Sequence, residues 1–467
     1  MPSFLIYTLG CKLNQLESEA IDEQLTKNLN LRFIEQRAED EEQLIESGLT
    51  DSPSIIIINT CTVTSKADQK ARRVIRKALR DYPEAVVIVT GCYAQLNKDD
   101  ILKLSGDDKR QRLFVINKEN VLDFISSYND LQSPVPSPRL PIPDSRPSAP
   151  DSQFQFNPQR FSSHTRSFLK IQDGCDRRCT YCRVSLARGR SRSLDAEEVL
   201  SELRALEERG FNEAVLTGVN ITQYRDADID LAGLLERLLK GSGKIRIRLS
   251  SIDPDALNDR FFEVVRDKRI RPHFHLSLQS GSAVILAKMG RGYTPAEVEK
   301  TVERLRSVKE DPFLACDIIT AFPGETEAEF KETGILCERL GFSWIHAFPF
   351  SPRPGTAACD FPGKAPEREA KRRTEILTGL GRKGRLAYLN RWKGRAVEAV
   401  IEAAGAGIKP AGAMPAVSEN YLKLLIRPAG ESASAGITPG GLVSCRITDE
   451  VPENPHFDAL AELIGQN

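Results

Sequence analysis

At 467 residues, 40% of them hydrophobic, the chain is too long for one core and is expected to divide into two to four domains. Its 65 Lys and Arg balance 65 Asp and Glu, so bulk charge neither demands nor excludes a polyanionic partner, and only local clustering carries that argument. The opening "MPSFLIYTLG" lacks a basic export region and no apolar run reaches membrane length, so a cytoplasmic chain with no membrane partner is expected.

In chain order, "FLIYTLGC", "SIIIINTC", "AVVIVTGC" and "RLFVIN" read as buried parallel strands. Helical stretches such as "TSKADQKARRVIRKAL" separate them, which predicts an open parallel α/β sheet over 1–130. The proline and serine of "LQSPVPSPRLPIPDSRPSAPDSQ" break all periodicity and predict a linker over 131–160. From 161 to 390 the alternation resumes, with strands "SFLKIQ", "EAVLTGV", "KIRIRLS", "PHFHLSL", "FLACDIIT" and "SWIHAFPF". Six strand–helix units predict a full or partial parallel β/α barrel. Residues 391–452 turn to "RAVEAVIE", "NYLKLLIR" and "GLVSCRIT", the texture of a small five-stranded β-barrel. Residues 453–467 read as a C-terminal tail without a legible role.

The chain has ten cysteines, and without an export route they point to metal binding, catalysis or burial rather than to disulfides. Cys316, Cys337, Cys359 and Cys445 share no ligand-like spacing and are expected in cores. Cys175, Cys179 and Cys182 stand at CxxxCxxC spacing after the first barrel strand, over the mouth where such barrels do chemistry. A structural zinc site needs a fourth ligand, and none lies nearby; a cluster with one open iron accounts for its absence. Independently, Cys11, Cys61 and Cys92 each end an apolar strand, two of them directly after glycine. Parallel strands of like polarity end along one sheet edge, so these three are expected to converge as a second three-thiol set.

CxxxCxxC after the first barrel strand, with Tyr181 before the last cysteine, resembles the radical S-adenosylmethionine (SAM) enzymes. The resemblance implies a 4Fe–4S cluster on Cys175, Cys179 and Cys182 whose fourth iron chelates SAM, the source of a 5′-deoxyadenosyl radical. The order of three-cysteine α/β domain, radical-SAM barrel and small β-barrel resembles the methylthiotransferases, whose last module is the RNA-binding TRAM domain. "TLGCKLNQLESE", "NTCTVTSKADQKARR", "LTGVNI", "LSLQSGS", "DIITAFPGETEAEF", "FPFSPRPGT" and "SENYLKLLI" resemble the branch acting on threonylcarbamoyladenosine in tRNA. That branch implies methylthiolation at position 37, with an auxiliary 4Fe–4S cluster on Cys11, Cys61 and Cys92 facing the first across the domain interface. It further implies SAM, a sulfur source and an electron donor such as a flavodoxin or ferredoxin. Rival readings are isopentenyladenosine or a ribosomal-protein aspartate as substrate, an iron–sulfur RNA-binding sensor without catalysis, and a zinc-stabilised RNA-binding protein. The chain departs from the family pattern at Val184-Ser185-Leu186, where a proline-containing apolar stretch is usual, and at Ala321, where glycine is usual.

Further candidates for SAM contact are Tyr181, Gly218, Asn220, Ser250 and Gln279 around the mouth, with Arg190 in the run after the cluster loop. Arg188 and Arg192, from the same run, are candidates for tRNA phosphate together with Arg372, Arg373 and Tyr421. Residues 364–395 hold eleven Lys or Arg against three Glu, and a second basic stretch follows Cys61. The anticodon loop is the expected tRNA partner surface, because an unstacked base there reaches a barrel mouth cheaply.

Overall fold

Five parallel strands form the N-terminal sheet in the computed structural model of the chain, which describes residues 3–28, 32–33, 52–106, 112–127, 154, 158, 166–403, 413–428, 437–451 and 456–466. They are β1 (Ser3–Thr8), β2 (Arg32–Phe33), β3 (Ile55–Thr60), β4 (Val86–Gly91) and β5 (Leu113–Val115), ordered β2-β1-β3-β4-β5. This is a doubly wound order, whose switch point between β1 and β3 is the usual ligand edge. Ile55 to Ile58 are all buried, as a strand covered on both faces requires. One face packs beneath the helix Ser65–Asp81, through Ala71, Val74, Ile75 and Ala78. That helix starts where the Thr64 hydroxyl accepts from the Ala67 amide at 3.1 Å. The linker expected at 131–160 lies outside the described residues apart from Phe154 and Pro158.

The described residues group into two compact units. One contains those within Met1–Ser163, Asp173–Asp176 and Arg183–Arg190; the other, those within His164–Gln172, Arg177–Cys182 and Ser191–Asn467. Parts of the cluster loop therefore pack with the N-terminal sheet, a division that a cut at residue 161 does not express.

In the second unit β6 (Ser167–Lys170), with short β7 (Gln172–Asp173) and β8 (Arg192–Ser193) after it, opens the barrel. β9 (Glu213–Thr217) follows, then the ribbon of β10 (Arg225–Asp226) and β11 (Ile229–Asp230), then β12 (Arg246–Leu249). β6, β9 and β12 form one parallel sheet; β13 (His273–Gln279), β14 (Phe313–Thr320) and β15 (Trp344–Pro349) form another. Parallel bridges Ile247–Ile270 and Ile252–Leu276 join the two, giving the six strands in chain order of a partial (β/α)6 barrel. On β14 the Cys316 thiol meets Cys337 of the helix Glu327–Leu340, so the alternate residues Phe313, Ala315, Asp317 and Ile319 face inward. Cys316, Cys337 and Cys445 are buried as expected; Cys359 is only half-buried. The turn after β14 places Ala321 in the left-handed region at φ 56°. Its amide donates to Glu325 Oε2 at 2.7 Å, which holds the conformation. An alanine there costs about 1–2 kcal/mol that a glycine avoids.

The helix Glu367–Trp392 leads into a closed barrel of β16 (Ala396–Ile401), β17 (Met414–Ser418), β18 (Lys423–Arg427), β19 (Leu442–Glu450) and β20 (Ala459–Gln466). The sequence reading needs a correction here, since β20 lies in the stretch assigned to a tail beyond residue 452. Its inward residues Ala459 and Ala461 are small, so the alternation carries little hydropathy contrast. β17 was also missed, because Pro415 argues against a strand and is tolerated only near a strand's start.

The module seals the barrel floor. Tyr388, Leu389 and Trp392 share a core with Val397, Leu424 and Ile426 of the module and with Phe313 and Ala315 of β14. Beneath the interior, buried Glu213 pairs with Arg248 at 2.6 Å and Arg271 at 2.9 Å. Arg248 donates to the Ser418 carbonyl at 3.1 Å and Arg271 to Glu398 at 2.9 Å. Burial pushes the Glu213 carboxyl up, but Arg248 and Arg271 override it and hold the pKa at about 2, below the ordinary 4.5. A depressed carboxyl contributes stability that is fully present above pH 4.5 and is lost as pH falls through about 2. Thermal melts are expected to lose stability steeply across that window, and Glu213→Gln to be less stable at neutral pH and flatter below 4.5. A variant as steep as the parent would remove Glu213 from the account.

Candidate active site

β1, β3 and β4 run parallel and end on one edge, which brings Cys11, Cys61 and Cys92 together there. Burial pushes the Cys61 thiol up to about 12, and the neighbouring thiols of Cys11 and Cys92 push the same way while Arg188 opposes them. The glycines before two of these cysteines have a steric reason. Gly10 takes φ 115°, and a Cβ on it would fall 2.4 Å from Cys61 Cβ and 2.9 Å from its Sγ. Gly91 takes φ 90°, and a Cβ there would fall 2.3 Å from the Thr60 carbonyl oxygen. Any larger residue would pry the strand ends apart. Behind them Asn14 Nδ2 donates to Asn59 Oδ1 at 3.1 Å and to the Thr60 carbonyl at 3.0 Å, while Cys11 Sγ donates to Asn14 Oδ1 at 3.4 Å.

Among the described residues no three Cys, His, Asp or Glu side chains close on a point where one metal ion would sit. Three thiols on one edge, with no nitrogen or carboxylate among them, suit a cluster instead, whose irons stand apart and each take a separate thiolate. Cys61 and Cys92, whose thiols burial pushes toward the protonated form, release those protons as metal binds.

Arg188 belongs to this first unit and corrects the sequence reading. Its side chain is 2% exposed, so it is not a phosphate contact. It pairs with Glu17 at 2.9 Å and Asp173 at 3.2 Å, and its Nε donates to Cys92 Sγ at 3.1 Å. Lys118, also buried, completes the group at 2.7 Å from Asp173. Arg190 is 89% exposed and pairs at 3.1 Å with Asp176, the residue after Cys175.

Cys175, Cys179 and Cys182 lie on the loop between β7 and the helix Val184–Arg188. The Cys175 amide donates to the Gly189 carbonyl in the first unit, at 3.0 Å. In the second unit, the Cys182 amide donates to the Cys179 carbonyl at 3.1 Å, and Thr180 exchanges bonds with the Met289 carbonyl and the Ala358 amide at 3.0 and 2.8 Å. Tyr181 sets its ring edge-on to Phe322, 6.4 Å between centroids, within an apolar patch that includes Phe348, Phe350 and Phe361. Ser250 Oγ, at the end of β12, is buried without a hydrogen-bond partner and suits a ligand. Gln279 ends β13 in the left-handed region at φ 65°, and Gly218 follows β9 in close contact with Gln172. Asn220 is a correction: its Nδ2 donates to Asp253 at 2.7 Å and its Oδ1 accepts from Thr222, so its amide orients the loop and is not presented to a ligand.

Sequence reasoning missed Asp253, Arg177 and Arg291. Asp253 gathers Asn220, Arg177 at 2.9 Å and Arg291. Arg291 also donates to the Ser277 carbonyl at 3.1 Å and points Nη1 at Cys179 Sγ, 3.4 Å away, placing a fixed cation beside a cluster-loop thiol. The glycines flanking Arg291 in "MGRGY" were the available signal. Inside the barrel, Asp317 also lies between His275 at 3.1 Å and His346 at 2.9 Å.

Two more RNA candidates are corrected. Arg373 is 5% exposed and bound to Glu325 and Glu369, both at 2.7 Å, bracing the turn that contains Ala321. The Tyr421 ring stacks on His273 with centroids 4.0 Å apart and is spent on the floor junction. Arg372 is paired with Glu327 and Glu369; Arg192 is exposed. Much of the basic surplus on the helix Glu367–Trp392 and just beyond it is likewise consumed, with Arg385 on Asp458, Arg391 on Asp311 and Lys393 on Asp449.

The description "Radical SAM superfamily" fits residues 169–336, and "Uncharacterized protein family UPF0004" fits residues 3–110. The Threonylcarbamoyladenosine tRNA methylthiotransferase MtaB of Treponema pallidum is 38% identical, over 93% of this chain and 97% of that one. The protein of the same name from Bacillus subtilis is 33% identical over 91% of each chain. A tRNA-2-methylthio-N(6)-dimethylallyladenosine synthase from Anaeromyxobacter is 32% identical, over 95% of this chain and 92% of that one. Among solved structures, the radical S-adenosylmethionine methyltransferase TsrM from Kitasatospora setae aligns with a TM-score of 0.50 at 13% identity, covering 77% of each chain, a likeness of fold.

Proposed function

The chain belongs to the radical SAM methylthiotransferase family, and from that membership we propose that it converts N6-threonylcarbamoyladenosine at position 37 of tRNA to its 2-methylthio derivative. The observation that carries the reading is the meeting of Cys11, Cys61 and Cys92 at one sheet edge, in a chain that also has a CxxxCxxC loop at a barrel mouth. An aromatic C–H has no acid–base route to C–S–CH₃; two bound 4Fe–4S clusters and SAM supply the radical, the methyl group and the sulfur transfer.

The residues divide the work. Cys175, Cys179 and Cys182 would hold the SAM cluster, and Cys11, Cys61 and Cys92 the auxiliary cluster. Ser250 offers the mouth a free hydroxyl, and Gly218 lets the backbone after β9 pack closely on Gln172, where a Cβ would fall 2.9 Å from Gln172 Oε1. Arg291 keeps positive charge against the Cys179 thiolate and locks the loop through Asp253. Tyr181 and the phenylalanines around it exclude water from the mouth. The anticodon loop of tRNA is the partner there, with an electron donor of flavodoxin or ferredoxin type, a sulfur source, and the cytoplasm as setting. No described helix is long and apolar enough to cross a membrane.

The test is nucleoside mass spectrometry of tRNA from a host lacking its own methylthiotransferases, with and without this gene. A gain of methylthio-threonylcarbamoyladenosine is expected. Methylthio-isopentenyladenosine would keep the chemistry and overturn the substrate, and no new methylthio nucleoside from iron-loaded protein would overturn both.

A further inference from the structure

The barrel floor carries a basic groove that the chemistry at the mouth does not use. It is a cavity of about 800 Å³ between the strand beginnings and the C-terminal module. Lys244 precedes β12; Arg266, Lys268 and Arg269 precede β13; Trp392 and Arg395 enter from the module side. Counting Arg246 and Lys309, seven cations line it against the three carboxylates of Glu310, Glu398 and Glu419.

The surplus is only partly cancelled internally. Arg246 and Arg395 are matched by Glu398 and Glu310, and Arg266 and Arg269 by Glu263 at 3.2 Å and Asp267 at 3.7 Å outside the groove lining. Lys309 is anchored on a backbone carbonyl, that of Ile270 at 2.7 Å, a bond that positions a cation without neutralising it. Lys244 and Lys268 are exposed, and their ammonium groups meet no carboxylate among the described residues. Trp392, though almost buried, has an indole N–H without a partner. A row of cations with a spare neutral donor suits a length of sugar–phosphate backbone, and the volume exceeds what one phosphate fills.

Position selects the occupant. The eight residues of β14 set the floor about 26 Å from the mouth. A protein delivering electrons must approach the cluster loop at the mouth, so an acidic electron donor has no reason to bind the floor. An RNA with one base in the mouth reaches the floor if it extends well beyond the loop carrying that base.

We propose that this groove holds the sugar–phosphate backbone of tRNA outside the anticodon stem-loop, an inference that rests on the tRNA reading above. The test compares reconstituted enzyme with its K244Q/K268Q variant, on full-length tRNA and on the excised anticodon stem-loop. For full-length tRNA the slope of log affinity against log salt is expected to flatten by about 1.4–1.8, two phosphate contacts' worth. For the stem-loop, slope and methylthiolation rate stay at parental values. Unchanged slopes on both RNAs would overturn the groove and leave the enzyme's function standing. Equal flattening on both would also overturn it, by placing the contacts within the stem-loop. Normal tRNA slopes with turnover impaired only when a protein reductant replaces a chemical one would assign the groove to an acidic protein. Parental enzyme that neither binds nor modifies either RNA would instead defeat the tRNA reading itself.

Discussion

Cys61→Ala enzyme is expected to keep cleaving SAM to 5′-deoxyadenosine while methylthio nucleoside falls by about a hundredfold or more. The reasoning is one of separation. Cys61 ends β3 in the first unit, which also contains Cys175, whereas Cys179, Cys182, Arg291 and Ser250 belong to the second, and the hydrogen bonds of Arg291 run to Tyr293, Cys179, Asp253 and Ser277 and not to Cys61. Losing a thiol from the sheet edge therefore removes a cluster ligand without touching Arg291, Cys179 or Ser250. The measurement is paired quantification of 5′-deoxyadenosine and methylthio nucleoside after anaerobic reduction, with iron counted per chain. Normal methylthio product would sink the ligand assignment. Because Cys61 is buried, the same pair of readings on Cys11→Ala guards against a folding artefact, since the Cys11 side chain is exposed and its removal leaves no cavity. Loss of both products in both variants would mean that the sheet edge supports the whole enzyme rather than the sulfur step.

What could be read from the sequence followed from contrast along the chain. Runs such as Ile55 to Ile58 are unmistakable because a strand covered on both faces tolerates nothing polar. The Gly-Cys grammar at Gly10 and Gly91 was visible, and the structure supplies its cause in the contacts a Cβ would make. β20 escaped because alanines line its inner face, and β17 because it carries a proline. Charge misled most. Arg188 and Arg373 stand in arginine-rich runs that look solvent-facing, yet the carboxylates that bury Arg188 include Glu17, 171 positions away. Periodicity has no term for a partner that distant. Tyr421 failed similarly, since the ring it stacks on, His273, comes from another domain of the fold. The reverse error occurred at Lys244 and Lys268, whose short basic stretches "KIRIR" and "RDKRIR" lie far apart in the chain, so nothing in the sequence marks them as one groove.

Arg188→Ala is expected to destabilise the N-terminal unit by about 3–5 kcal/mol and to leave the salt dependence of tRNA binding unchanged. Glu17, Asp173, Lys118 and Arg188 are two anions and two cations, all buried. Removing the guanidinium takes a buried ion pair from the Glu17 carboxylate and another from Asp173, which keeps Lys118 and the Gly174 amide, and takes away the donor to Cys92 Sγ. Lysine does not rescue, because one ammonium cannot reproduce the fork that meets both Glu17 oxygens at 2.9 and 3.3 Å while also reaching Asp173 and Cys92. Both tryptophans, Trp344 and Trp392, lie in the second unit, so tryptophan fluorescence would miss the change; limited proteolysis and far-UV circular dichroism in urea report it. Adding Glu17→Gln to the alanine variant removes the buried charge that lost its arginine and is expected to recover part of the loss. That non-additivity separates a buried ion network from simple loss of volume. If instead Arg188→Ala folds as well as the parent and flattens the salt slope by about one, the arginine is a phosphate contact and its burial against Glu17 is wrong.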